Sequence, residues 1–88
     1  MNWKVYVILC VDDSLYTGIT TDVERRFIQH SSGKGAKYFR AHEPLRLAYL
    51  EEGHDRSSAS RREAEIKKLR PVEKRALMKS TKNLMRLS

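Results

Sequence analysis

The longest apolar run in the chain, Val5 to Val11, leaves it few ways to fold. Val5, Val7, Ile8 and Val11 are β-branched, Tyr6 interrupts the run, and Asp12-Asp13-Ser14 closes it. Branched and aromatic side chains fit a pleated surface better than a helix, so Trp3 to Val11 predicts a β-strand. The turn-forming Asp12-Asp13-Ser14 followed by Leu15-Tyr16-Thr17-Gly18-Ile19-Thr20 predicts its partner, making a β-hairpin. Side chains alternate across a strand, and Tyr6 and Tyr16 are separated by an even number. They share a face only if the turn has an odd residue count, so a three-residue or five-residue loop is expected. The apolar run is far too short for a membrane span or a cleavable signal, which points to the cytoplasm.

Beyond the hairpin, Thr21-Asp22-Val23-Glu24 forms a capping box in which the Thr21 hydroxyl and Glu24 carboxylate start a helix. Val23 and Phe27 define its buried stripe, and Ser31-Ser32-Gly33 stops it. Gly33 to Arg40 is a glycine-punctuated basic segment, expected as an exposed connection, with Pro44 closing off any helix beyond it. Leu45, Leu47 and Tyr49 alternate with Arg46, Ala48 and Leu50, giving a third strand to about Glu52, ended by Gly53. A second helix is expected from Ser57 or Ser58, with Ala59, Ile66 and Leu69 near one face. Ser60-Arg61-Arg62-Glu63 is a rival capping box that would start it later. Pro71 suits the first turn of a third helix with apolar positions Val72, Ala76 and Leu77.

The order ββαβαα predicts an α/β (α+β) fold, a small mainly antiparallel three-stranded sheet flanked by helices. A chain of 88 residues suits one domain, here residues 1–80, with 81–88 as a tail expected to fray. Cys10 is the only cysteine, which excludes an internal disulfide and a Cys-x-x-Cys zinc site and fits a reducing compartment. The 18 Lys plus Arg against 11 Asp plus Glu give a net charge of +7, a balance that favours polyanions. Nine of those cations fall between Arg56 and Lys79 against three acidic residues, so the later helices offer a cationic face; a solvated surface is the plainer explanation.

Tyr6 in the first strand and Tyr16-Thr17-Gly18 in the second give the sequence its resemblance to the GIY-YIG nuclease family. The first signature falls on Lys4-Val5-Tyr6, matched by its tyrosine, and the second on Tyr16-Thr17-Gly18, matched by tyrosine and glycine. The family's helical arginine and histidine, four residues apart, are matched by Arg26 and His30. Gly35-Ala36-Lys37-Tyr38 and the helix Arg61 to Leu69 are similar to those of small stand-alone bacterial members.

Helix geometry picks out the same residues. At about 100° per residue, Arg26 and His30 lie within about 60° of Val23, whereas Arg25 points away. Glu63 lies about 60° from Ile66, and Glu65 about 200° from Glu63.

The resemblance implies metal-dependent phosphodiester hydrolysis of nucleic acid, as in a DNA endonuclease, with DNA favoured over RNA. It implies a single Mg²⁺ (or Mn²⁺) held by Glu63, Tyr6 as general base, Tyr16 orienting water or phosphate, and Arg26 stabilising transition-state charge. His30 relays a proton or binds phosphate. Gly18 marks a bulge or a close approach to its backbone. Lys37, Tyr38 and Arg40 read as a nucleic-acid contact, with a solvated basic loop as the alternative. A non-catalytic nucleic-acid-binding module with the same fold, and a protein-interaction adaptor, are the alternatives to an enzyme. His42 and His54 show no metal-like spacing and are assigned no role.

Overall fold

The computed structural model describes residues 2–80 and 83–85. Strand β1 (Trp3–Cys10) is the centre of an antiparallel sheet of order β2-β1-β3, with β2 at Leu15–Thr20 and β3 at Pro44–His54. Helix α1 (Val23–Ser31) and a short 3-10 helix (Lys37–Arg40) separate β2 from β3, and α2 (Arg56–Lys67) and α3 (Pro71–Met78) follow. The most apolar strand takes the central place, where both its edges are paired and both its faces are covered. Among the described residues, no helix is long and apolar enough to cross a membrane.

The hairpin register pairs Tyr6 with Gly18 and Ile8 with Tyr16. Cys10 N donates to Ser14 O at 2.9 Å and Asp13 N to Cys10 O at 3.0 Å, so the loop is the three residues Val11-Asp12-Asp13. Asp13 takes the left-handed conformation (φ 71°) that a three-residue loop needs and that Asp tolerates. The odd count puts Tyr6 and Tyr16 on one face. There Tyr6, Ile8 and Cys10 pack with Phe39, Phe27, Leu47 and Leu50 under α1 and the 3-10 helix. On the other face Val5, Val7 and Tyr49 pack with Ala59 and Ile66 of α2, joined by Leu77 and Met78 of α3.

Several local expectations are corrected. The cap of α1 is Asp22, whose carboxylate accepts from Arg25 N at 3.1 Å, not Thr21; the two neighbours offer similar oxygens, and the backbone turns helical one residue later. The basic connection is not simply exposed, because it winds into the 3-10 helix and buries Phe39. The expected alternation along β3 breaks: Tyr49 opposes Val7 while Leu47 opposes Ile8, so the intervening Ala48 is an extra residue and Leu47 and Tyr49 face opposite sides. Strand β3 also runs through Gly53 (φ 87°) to His54. Val72 of α3 is exposed, and Met78 packs inward with Leu77 instead.

Helix α2 begins at Arg56 behind an Asp55–Ser58 capping box, which removes the rival start at Ser60. Its register is fixed by the Glu51 carboxylate on β3, which accepts from Tyr49 Oη at 2.6 Å and Arg62 Nε at 3.1 Å and pairs with His54 Nε2 at 2.6 Å. Burial works against the Glu51 charge, but these hydrogen bonds outweigh it and hold the carboxyl below its usual range. Within the expected tail, Asn83 is buried; its Nδ2 donates to Ala48 O (2.9 Å) and Met78 O (2.7 Å), and its Oδ1 accepts from Leu50 N (3.1 Å). Residues 81, 82 and 86–88 of that tail lie outside the described residues.

Candidate active site

The ring of Tyr6 lies across β2. A Cβ at position 18 would sit 2.5 Å from Tyr6 Oη and 2.7 Å from its Cζ, so the phenol occupies the space that glycine leaves. Gly18 thus marks a close approach, made by a side chain of the neighbouring strand.

His30, in the last turn of α1, is buried with Nε2 2.9 Å from Tyr6 Oη. Its Nδ1 accepts the Ala36 N–H at 3.2 Å. An accepting Nδ1 carries no proton, so the neutral ring has its hydrogen on Nε2 and donates it to the Tyr6 oxygen. Burial, reinforced by the Arg26 charge, pushes His30 down to about 4, which keeps the ring neutral at physiological pH. Gly35 is required here too, because a Cβ at that position would collide with His30 Nδ1 and lie 2.8 Å from its Cα. Its position in a basic, glycine-punctuated segment gave no hint of this.

Burial pushes the Tyr6 phenol up to about 12, and Tyr16 and Glu63 add to the rise while Arg26 opposes it. At neutral pH Tyr6 is therefore a phenol. Its oxygen accepts from His30, and its own hydrogen remains to be directed elsewhere. Tyr16 stands beside it, with ring centroids 6.3 Å from Tyr6, 5.4 Å from His30 and 4.8 Å from Phe39. Arg26 is half-buried and donates to Gln29 Oε1 at 3.0 Å, whereas Arg25 is exposed.

Glu63 comes from the far side of the sheet, on α2. Its side chain is 24 % exposed and pairs with Lys67 Nζ at 3.3 Å, while Glu65 is 67 % exposed. Tyr6, Tyr16, Arg26 and His30 thus come together, and the Glu63 charge acts on the Tyr6 hydroxyl. Among the described residues no three His, Cys, Asp or Glu side chains form a ready-made metal cage. A single hard carboxylate suits an Mg²⁺ that keeps its waters and completes its shell with substrate phosphate, and does not suit a zinc or calcium site.

Lys37 and Arg40 are exposed on the 3-10 helix, either side of half-buried Tyr38 and buried Phe39. Tyr38 sits 5.3 Å from Tyr16 between ring centroids. Its face is stacked on His42 at 4.1 Å and 16°, and His42 Nδ1 is 2.6 Å from Asp12 Oδ2 and 3.2 Å from Ser14 Oγ. Hydrogen bonds from Ser14 and His42 hold the Asp12 carboxyl down to about 2. The role of His42 is not legible in the sequence, because its partners are the hairpin loop and the 3-10 helix, a pairing with no periodic or motif signature. His54 serves the Glu51 network, with Nδ1 2.9 Å from Ser58 Oγ.

Comparison with known proteins gives a consistent picture. The family model described as the GIY-YIG catalytic domain matches residues 2–75. The UPF0213 protein DP2720 of Desulfotalea psychrophila is 51 % identical over 80 residues, covering 90 % of this chain and 73 % of that one. The UPF0213 protein YhbQ of Escherichia coli O8 is 50 % identical over 76 residues, covering 86 % and 76 %. The solution NMR structure of the UPF0213 protein BH0048 from Bacillus halodurans superposes with a TM-score of 0.58 at 42 % identity, covering 91 % of this chain and 85 % of that one.

Proposed function

The chain belongs to the GIY-YIG family, a nuclease-type fold, and from that premise we propose that it hydrolyses phosphodiester bonds of nucleic acid, DNA in preference to RNA, with a divalent cation. The observation that carries the reading is the convergence on one oxygen. Tyr6 Oη accepts the His30 Nε2–H and feels both the Arg26 cation and the Glu63 carboxylate. Structural tyrosines rarely need a neutral histidine, a cation and an anion around one hydroxyl.

In this reading Tyr6 Oη takes a proton from the attacking water after its own hydrogen has passed to solvent, a loss that the Arg26 charge and a bound cation would favour. His30 favours the phenolate by donating Nε2–H to it, and the Ala36 amide keeps that donor in place. The Arg26 guanidinium stabilises the negative charge that builds on the phosphate, and the Tyr16 hydroxyl orients water or phosphate. Glu63 would hold Mg²⁺ (or Mn²⁺) in place of its pairing with Lys67, and the cation would supply Lewis-acid polarisation of the scissile phosphate. Lys37 and Arg40 pair with phosphates beside the site and Tyr38 contacts a base. A reducing cytoplasm suits buried Cys10, whose thiol burial pushes up and so leaves unreactive.

The test is cleavage of labelled single-stranded, duplex, flapped and branched DNA and RNA with Mg²⁺ or Mn²⁺ against chelator. Native protein should cut only with metal, and Glu63→Gln should cut at least about a hundredfold more slowly with Kd changed by less than about twofold. Native-rate cutting by Glu63→Gln overturns the site assignment. Salt-sensitive binding without cleavage on every substrate replaces the enzyme with a binding module.

A further inference from the structure

From the cations around a groove behind the sheet, we infer that this protein has a second nucleic-acid site, a groove of about 670 Å³ on the face opposite the tyrosines, which holds a single-stranded arm of the substrate. The inference rests on the nucleic-acid reading above and specifies the substrate class.

Arg46 of β3 and Arg75 and Lys79 of α3 surround the groove, and Leu9, Leu15 and Met78 line its floor. Arg46 pairs in register with Leu9, and Leu15 and Met78 belong to the packing around Val5 and Val7, which fixes the groove on the helix-covered face. Arg75 and Lys79 are four residues apart and so emerge on one side of α3. All three cations are exposed, and among the described residues none of them forms an ion pair, as is true of most cations of this chain. Asp13, at the hairpin tip, is the single acid in the lining.

Three cations against a single acid around one groove give it a positive field, which attracts an anion. The groove is also a built feature. Buried Asn83 ties the end of α3, the β3 bulge and residues 83–85 together through Met78 O, Ala48 O and Leu50 N, and so fixes the wall. Cations above an apolar floor suit a nucleotide strand, with phosphates on Arg46, Arg75 and Lys79 and sugar or base on the leucines. The volume falls within the range of about 300–1,000 Å³ usual for ligand sites.

The two sites lie on opposite faces of one sheet in a molecule about 28 Å across. A straight duplex is stiff over about 150 base pairs and cannot touch both. Duplex with a flexible single-stranded tail reaches from the tyrosine face to the groove.

The experiment uses the full chain carrying Glu63→Gln, so that substrate survives, with and without Arg46→Ala/Arg75→Ala/Lys79→Ala. Kd is measured against salt for a tailed duplex, a blunt duplex of equal length and poly-glutamate, and melting midpoints check that the triple variant folds. The expected result is a tail preference of about tenfold that the triple variant loses, with the salt slope for tailed duplex falling by about 2, as three phosphate contacts imply. Blunt-duplex affinity stays within about twofold. Equal binding of tailed and blunt duplex, a preference that survives the triple variant, or poly-glutamate competing as well as tailed duplex each overturn the groove. If the unaltered groove background binds no nucleic acid at all, the functional reading falls and the groove with it; if it binds but the triple variant changes nothing, only the groove falls. A triple variant that fails to fold is replaced by Arg75→Ala/Lys79→Ala on exposed α3, read against the same outcomes.

Discussion

The two faces of this sheet are made by the same central strand and do different work. The face of Val5 and Val7 is closed by Ala59 and Ile66, side chains with no polar atoms to satisfy, and its one phenol, Tyr49, donates to Glu51 at 2.6 Å. The face of Tyr6 carries two phenols and an imidazole among its aromatics, and the Tyr6–His30 hydrogen bond is buried. Burying apolar area stabilises at about 25 cal/mol per Å², whereas each buried polar group must find a partner to avoid a cost of about 1–3 kcal/mol. One face therefore stabilises the domain, and the other holds a demanding arrangement that stability alone would not select. Alternation along β1 delivers both from one eight-residue strand.

The largest expected effect tests the face of Val5 and Val7. Ile66→Ala should lower unfolding free energy by about 2–5 kcal/mol in denaturant titration, because Ile66 is fully buried against β1. A loss below about 1 kcal/mol would make the faces energetically alike and remove the contrast.

Gly18→Ala comes next, at about 1–3 kcal/mol, since its methyl would overlap the Tyr6 phenol. The cost should shrink in a Tyr6→Leu background. A double-mutant cycle with no coupling would show that position 18 needs glycine for some other reason.

Acid should separate the faces again. Neutral His30 is pushed down to about 4, while an unfolded imidazole titrates near 6.5. Between those values the unfolded chain takes up a proton that the folded chain refuses, so stability is full above about pH 6.5 and falls towards pH 4. Each unit of displacement corresponds to about 1.4 kcal/mol. Melting curves of Glu51→Gln should keep this loss and those of His30→Gln should lack it, because hydrogen bonds hold the Glu51 carboxyl below its usual range, so its own contribution is lost at lower pH.

The smallest effect concerns the rim. Asp12→Asn weakens an exposed, solvent-screened pair with His42, and should leave the melting midpoint nearly unchanged. If Tyr38 depends on that pair for its place, affinity for single-stranded nucleic acid falls severalfold while melting hardly moves; unchanged affinity separates the rim from the site.

Much of the candidate site was legible because its signals are local or periodic. Parity in the hairpin put Tyr6 and Tyr16 together once the loop was odd, and the helical period turned Arg26 and Glu63 inward relative to Arg25 and Glu65. What escaped notice depends on contact between distant segments. The bulge at Ala48 exists only in pairing with β1, so the alternation read along β3 misassigned Tyr49. Gly35 has no local reason to be glycine until the His30 ring is set against it. Asn83 looks like tail composition until three backbone groups converge on its amide.

The sequence by itself determined the order of elements, the odd hairpin and the basic balance, since strand alternation, helical period and net charge need no partner segment. Tertiary structure alone decided which nitrogen of His30 carries the hydrogen, how far burial raises the Tyr6 phenol, and that three cations share a groove. Those properties arise from desolvation and from distances between residues far apart in the chain, and neither exists before the sheet and its helices close.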